Sequence, residues 1–149
     1  MNPLVGVLMG SESDMDTMKK TMGVLDDLGI PYETKVMSAH RSPDSVSSYA
    51  SEVAGRGLKV LIAGAGLAAH LAGALASRTV LPVIGVPLDA GGLGGLDALL
   101  STVQMPKGVP VATVAVGSHG ARNAAWLAAE IIALTDPDLA ARLREKRGL

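Results

Sequence analysis

The sequence predicts a three-layer α/β/α fold, with one doubly wound sheet of five parallel strands between helices. Three observations carry this. Short Val-, Leu- and Ile-rich runs alternate with longer helical patterns along the chain. Those runs are continuously apolar, as expected where both faces of a parallel sheet are covered. The 149 residues fit one domain, at roughly 100–200 residues per domain, and show no internal repeat, linker or low-complexity tract.

Each element has its own signal. Leu4–Met9 reads as the first strand; Met1–Gly10 is apolar but lacks a basic region and runs into Glu12, Asp14 and Asp16, which argues against a targeting segment. Asp14–Leu28 follows as a helix, with Met18, Met22, Leu25 and Leu28 near helical spacing and a stop at Gly29. Tyr32–Met37 is the second strand, and Pro43–Gly55 the second helix, capped by Ser42 with proline at its first position. Residues Val60–Ser77 contain no Asp, Glu, Lys or Arg and approach membrane-spanning length. Gly64 and Gly66 interrupt them, so the expectation is a strand at Val60–Ala63, a tight turn and a helix at Ala68–Ser77. Val83–Val86 is the fourth strand, followed by a helix at Leu96–Gln104 that ends before Pro106. Val111–Val116 is the fifth. The helix Arg122–Leu134 is apolar on several faces, which places it deep in the packing or at an interface. Asp138–Arg147 closes the chain as a helix whose cations suit its C-terminal dipole. The whole is flavodoxin-like, and residues 1–149 form one domain.

Composition excludes several classes of function. Apolar residues make up 48% and charged residues 18%, which is incompatible with disorder. The absence of cysteine removes disulfides, thiol nucleophiles and thiolate metal sites, and is compatible with a cytoplasmic location. A formal charge of −1 argues against nucleic acid or an anionic membrane as partner. With no Phe, one Trp and two Tyr, base-stacking platforms are missing too. The mean hydropathy of +0.36 is high for a small monomer and implies apolar surface covered by other subunits.

Ligands in open α/β sheets bind beyond the carboxyl ends of the strands, so the residues there are the candidates. Gly10-Ser11-Glu12-Ser13-Asp14 follows the first strand. Its glycine permits a turn, its hydroxyls and helix-start N–H groups suit phosphate, and Asp14 suits ribose hydroxyls. Ser13 or Asp14 capping the helix is an equally open reading. Ser38-Ala39-His40-Arg41 follows the second strand, bringing a guanidinium fork, a hydroxyl and an imidazole together. Gly64-Ala65-Gly66-Leu67-Ala68-Ala69-His70 follows the third. It fits the loose dinucleotide pattern G-x-G-x-x-A, with Asp89 about 20 residues onward. From its setting alone, His70 reads as a hydrogen-bonded core residue. Asp89–Gly95 reads as a flexible loop, Lys107 as a solvated charge and Ser118-His119 as a helix cap. No Walker A, H-E-x-x-H or G-x-S-x-G sequence occurs, and three scattered histidines give no metal-ligand spacing.

Taken in order, the segments beginning Gly10-Ser11-Glu12-Ser13-Asp14, Ser38-Ala39-His40-Arg41-Ser42-Pro43, Ala63-Gly64-Ala65-Gly66-Leu67 and Val103-Gln104-Met105-Pro106-Lys107-Gly108 resemble the PurE family. That family comprises 5-(carboxyamino)imidazole ribonucleotide mutases and the related aminoimidazole ribonucleotide carboxylases. The resemblance implies an isomerase of purine biosynthesis that moves a carboxylate from an exocyclic nitrogen to a ring carbon, without ATP, metal or organic cofactor. It implies a homo-octamer with sites shared between subunits. It assigns phosphate and ribose binding to Ser11, Ser13, Asp14, Ser38 and Arg41, the catalytic histidine to His40, and a second histidine near the reacting base to His70. Gly64, Ala65 and Leu71 become walls of the substrate cavity. Ala68-Ala69-His70-Leu71 resembles the mutase branch, although Ala72 stands where many mutases carry proline. The alternatives are a carboxylase using free CO2, a small NAD-binding oxidoreductase using Gly64, Gly66 and Asp89, and a non-enzymatic flavodoxin-like module.

Overall fold

In the computed structural model, which describes residues 1–149, five parallel strands form one sheet. They are β1 (Val5–Met9), β2 (Tyr32–Val36), β3 (Val60–Gly66), β4 (Val83–Leu88) and β5 (Ala112–Thr113), in the order β2-β1-β3-β4-β5. The chain passes from β1 to β2 on one side and then crosses to β3 on the other side of β1, so the strand order reverses between β1 and β3. That is the switch point where the carboxyl ends of a doubly wound sheet leave a crevice. The helices are α1 (Met15–Asp27), α2 (Pro43–Glu52), α3 (Leu71–Ala76), α4 (Leu96–Val103), α5 (Gly117–Ala133) and α6 (Pro137–Arg147), with a 3-10 turn at Glu12–Asp14 before α1.

Strand residues alternate between two cores. Val5, Val7, Met9, Val60, Ile62, Ile84, Val86 and Leu88 face α1, α5 and α6. Leu8, Leu61, Ala63 and Val83 face the opposite layer, with α2 and α3. Apolar contact on both sides is why these strands carry no polar alternation. The small face of α5 (Ala121, Ala124, Ala125, Ala128, Ala129) is fully buried, and α1 packs on it with the Thr21 hydroxyl donating to the Ala121 carbonyl at 2.7 Å. The apolar helix expected at Arg122–Leu134 therefore spends most of its hydrophobic surface inside its own chain.

Several boundaries differ from the sequence reading. β2 is an edge strand, half-exposed along its length, and its Glu33 and Lys35 suit an edge that must not pair further. β3 runs through both glycines to Gly66, which pairs with Leu88, so the turn expected at Gly64–Gly66 begins only at Leu67. The helix after it starts at Leu71 rather than Ala68. β5 shrinks to two residues because the chain leaves the sheet at Ala115 (φ 125°) and Gly117 (φ 69°). α5 accordingly starts five residues earlier than expected, and Ser118 and His119 lie inside it rather than capping it. The Ser118 hydroxyl instead accepts from Lys20 Nζ at 2.6 Å, joining α1 to α5. Ser42 and Pro43 do occupy the first positions of α2, but the Ser42 side chain makes no capping bond to that helix.

Candidate active site

Four strand ends converge on one cavity of about 450 Å³ at the switch point. Its first wall is the loop after β1, tied down by the Gly10 N–H donating to the Gly64 carbonyl at 3.1 Å. Ser11 caps the 3-10 turn: its Oγ accepts the Ser13 N–H at 3.3 Å and lies 2.9 Å from Ser13 Oγ. Asp14 holds the N-cap position of α1 yet makes no capping bond with its side chain, which leaves the carboxylate facing the cavity. Partial burial pushes its pKa above the usual carboxylate range, opposed by a backbone hydrogen bond from Ser11.

The loop after β2 is built by serines. Ser38 Oγ accepts the backbone N–H groups of His40 (3.3 Å) and Arg41 (3.2 Å), folding the chain into a tight turn. Ser42 Oγ turns back, accepting the Ser38 N–H and donating to the Ser38 carbonyl, both at 3.1 Å. That explains why it does not cap α2. The Arg41 guanidinium has no acidic partner and is exposed at the cavity. An unpaired fork of this kind suits a phosphate or carboxylate ligand.

The third wall comes from the end of β3 and the turn beyond it. Ala65, Gly66, Leu67 and Ala68 line the cavity, Leu71 closes it from below, and His70 stands at the start of α3. His70 is exposed, not the core residue its Ala/Leu surroundings suggested. Its Nδ1 lies 2.6 Å from His40 Nε2, with the two rings edge to face at 84°. One of these nitrogens must donate and the other accept, so the tautomer of each ring fixes that of the other. Ala90, from the loop after β4, completes the lining.

Of the residues singled out from sequence, Ser11, Ser13, Asp14, Ser38, His40, Arg41, Ala65, His70 and Leu71 share this one cavity. Gly64 does not reach it. A Cβ there would lie 2.5 Å from Met18 Sδ, so this glycine exists to let α1 pack on the sheet. Gly66 similarly makes room for the Ala90 side chain. Sequence reasoning missed Ala39, Ala90 and Ser101. The alanines carry no chemical signal, and Ser101 acts from α4, where its Oγ accepts the Ala69 N–H at 3.0 Å. The dinucleotide reading fails on geometry. Its glycines are strand residues, and the helix that should receive a pyrophosphate has six residues and starts only at Leu71.

The sequence profile of the AIR carboxylase family matches residues 4–148. The chain belongs to this family. A Bacillus subtilis member, named N5-carboxyaminoimidazole ribonucleotide mutase, is 57% identical over 147 residues, covering 99% of this chain and 91% of the relative. A Pseudomonas aeruginosa protein of the same name is 56% identical over 147 residues, 99% of this chain and 90% of its own. The crystal structure of Treponema denticola PurE superposes with a TM-score of 0.88 at 32% identity, over 98% of this chain and 90% of that one. Every loop that lines the cavity lies within the span matched by the AIR carboxylase family.

Proposed function

We propose that this chain is an N5-carboxyaminoimidazole ribonucleotide mutase, transferring a carboxylate from the exocyclic nitrogen of the substrate to its ring carbon. The observation that carries the reading is the His40–His70 contact, set in a cavity whose other walls offer Arg41 and three serine hydroxyls. The names of relatives above 50% identity favour the mutase over a carboxylase that uses free CO2.

The reaction can be written so that every proton returns. His40 donates a proton to the exocyclic nitrogen as the nitrogen–carboxylate bond breaks, releasing CO2 and the aminoimidazole. The CO2 stays between Ala65–Ala68 and Leu71, where apolar walls slow its escape. The ring carbon attacks it, and His40 removes the hydrogen from that carbon, which restores aromaticity and the original protonation state. His70 holds the His40 ring and its tautomer through the 2.6 Å contact. Arg41, Ser11, Ser13 and Ser38 hold the phosphate, and Asp14 accepts from ribose hydroxyls. No redox change or phosphoryl transfer occurs, so the scheme requires neither ATP nor a metal, and turnover is expected to persist in EDTA.

In this reading the enzyme is cytoplasmic and works as a homo-octamer whose subunits share sites. Exposed leucines on and before α4, among them Leu93, Leu96 and Leu100, give it a surface for that purpose. No helix is long and apolar enough to cross a membrane. The experiment that tests the reading supplies each substrate separately. Conversion of the carboxyamino ribonucleotide without added bicarbonate supports it. Turnover only with the decarboxylated nucleotide plus bicarbonate would assign a carboxylase instead.

A further inference from the structure

The segment that delivers His70 has little stiffness of its own. Leu67, the first residue beyond β3, sits at φ 56°, a conformation that L side chains rarely adopt and that only glycine takes freely. The residue is 54% exposed, so burial does not compensate for the strain. α3 has six residues, and its N-terminal position is His70 itself, whose side chain makes no capping bond. Something outside the segment must hold it.

Two parts of the β4–α4 unit do so. The Leu67 side chain lies over Gly91, where a Cβ would meet its Cδ2 at 2.7 Å. More important is Ser101 on α4. Its Oγ accepts the N–H of Ala69 at 3.0 Å and passes its own hydrogen to the Asp97 carbonyl at 2.8 Å. The Leu67 carbonyl lies 3.4 Å from the same oxygen. Ala69 is 2% exposed, so this hydroxyl satisfies an amide that water does not reach, one residue before His70.

We infer that Ser101 is a positioning residue for the histidine pair, acting through the Ala69 amide to hold the Leu67–Ala69 turn and so keep His70 against His40. Without the hydroxyl, the Ala69 amide must find another acceptor. The simplest way is for Leu67 to leave the left-handed region, which swings His70 away from His40. Ser101 does not line the cavity, so its loss leaves the phosphate and ribose contacts in place. The inference rests on the proposed function only for its kinetic consequence.

The test compares Ser101→Ala and Ser101→Thr with the wild-type chain. Imidazole 15N spectra of His40 and His70, recorded without substrate, distinguish a hydrogen-bonded pair from two independently solvated rings. The pair should be lost in Ser101→Ala and kept in Ser101→Thr, which retains the hydroxyl. In the mutase assay, Ser101→Ala should lower kcat by about 10- to 100-fold with KM changed less than about twofold, the pattern of a misplaced catalytic group. The nitrogen spectra need no turnover, so they judge the inference whatever reaction the enzyme catalyses. An intact histidine pair in folded Ser101→Ala overturns it, as would an equal loss of the pair in Ser101→Thr.

Discussion

His40 and Arg41 are neighbours in sequence but are expected to fail differently when replaced. His40 reaches His70 across the cavity, whereas Arg41 offers an unpaired cation suited to the phosphate. His40→Asn keeps similar bulk but cannot exchange a proton, so kcat should fall by at least about 10²-fold with KM largely retained. Arg41→Ala should chiefly raise KM. Steady-state kinetics on both variants separates the roles, and a His40→Asn enzyme with near-normal kcat would pass the shuttle to His70 or a water. Asp14 gives a second prediction. Burial raises its pKa, so its ionised form costs stability at neutral pH. The penalty is full above the raised folded value, shrinks as pH falls through it, and is gone below the ordinary 3.8. Asp14→Asn should therefore raise Tm at neutral pH, lose that advantage in acid, and bind the ribonucleotide more weakly. That these residues would meet at one cavity was legible because Arg, His, Ser and Asp at strand ends carry their own signals. Gly64 misled because a glycine that admits Met18 Sδ and one that admits a ligand look the same in sequence.

Elements were legible where hydrophobic pattern alone decides them and illegible where backbone conformation does. β1 and α1 were placed within a residue or two, since apolar spacing and Gly29 mark them. The extension of β3 and the shortening of β5 depend on where φ turns positive, at Leu67 and Ala115, and neither residue type announces that. The edge strand β2 is held by a polar cluster that the sequence did not reveal. Glu33 accepts from the Tyr49 hydroxyl at 2.7 Å and from the Arg56 guanidinium at 2.5 Å, linking β2 to α2 and the loop after it. The Arg56 hydrogen bond is the main reason that the Glu33 pKa lies below its usual range; partial burial opposes it and Tyr49 adds to it. A depressed carboxyl pKa stabilises the fold above the unfolded value, near 4.5, and that contribution disappears as pH falls through the folded one. Glu33→Gln should lower Tm at neutral pH, with the gap to wild type closing in acid; a gap constant with pH would deny the cluster this role. The same cluster constrains β1. A Cβ on Gly6 would lie 2.5 Å from the Tyr49 hydroxyl oxygen and 2.8 Å from Leu61 Cδ2. Gly6→Ala should destabilise the chain by about 1–3 kcal/mol, the usual cost of overpacking, as measured by urea unfolding.

At the scale of the whole molecule, high hydropathy pointed to covered surface, and of the two places open to the apolar helix Arg122–Leu134, deep packing or an interface, the fold gives it the first. α5 is consumed by α1 and the sheet, while Leu96 (56% exposed), Leu100 (51%) and Val103 (42%) form a row along α4. Their spacing of four and three residues puts them on one helix face, and Leu93 (67%) extends the row into the loop before it. A single copy exposes 7631 Å² in all, more than the roughly 7,100 Å² expected of a compact 15.1 kDa monomer. Water is a poor environment for such a row, and further copies of the same chain are the cover that a closed homo-oligomer provides. Sedimentation at micromolar concentration should therefore give a mass well above 15.1 kDa, with eight copies as the proposed state. Leu100→Glu places a charge at the middle of the row without touching either internal core. It should yield smaller, folded species with unchanged far-UV circular dichroism, and it should depress turnover if the subunits share sites. A wild-type chain that sediments as a monomer would remove the octamer from the proposal, and α4 would then face solvent with its leucines bare.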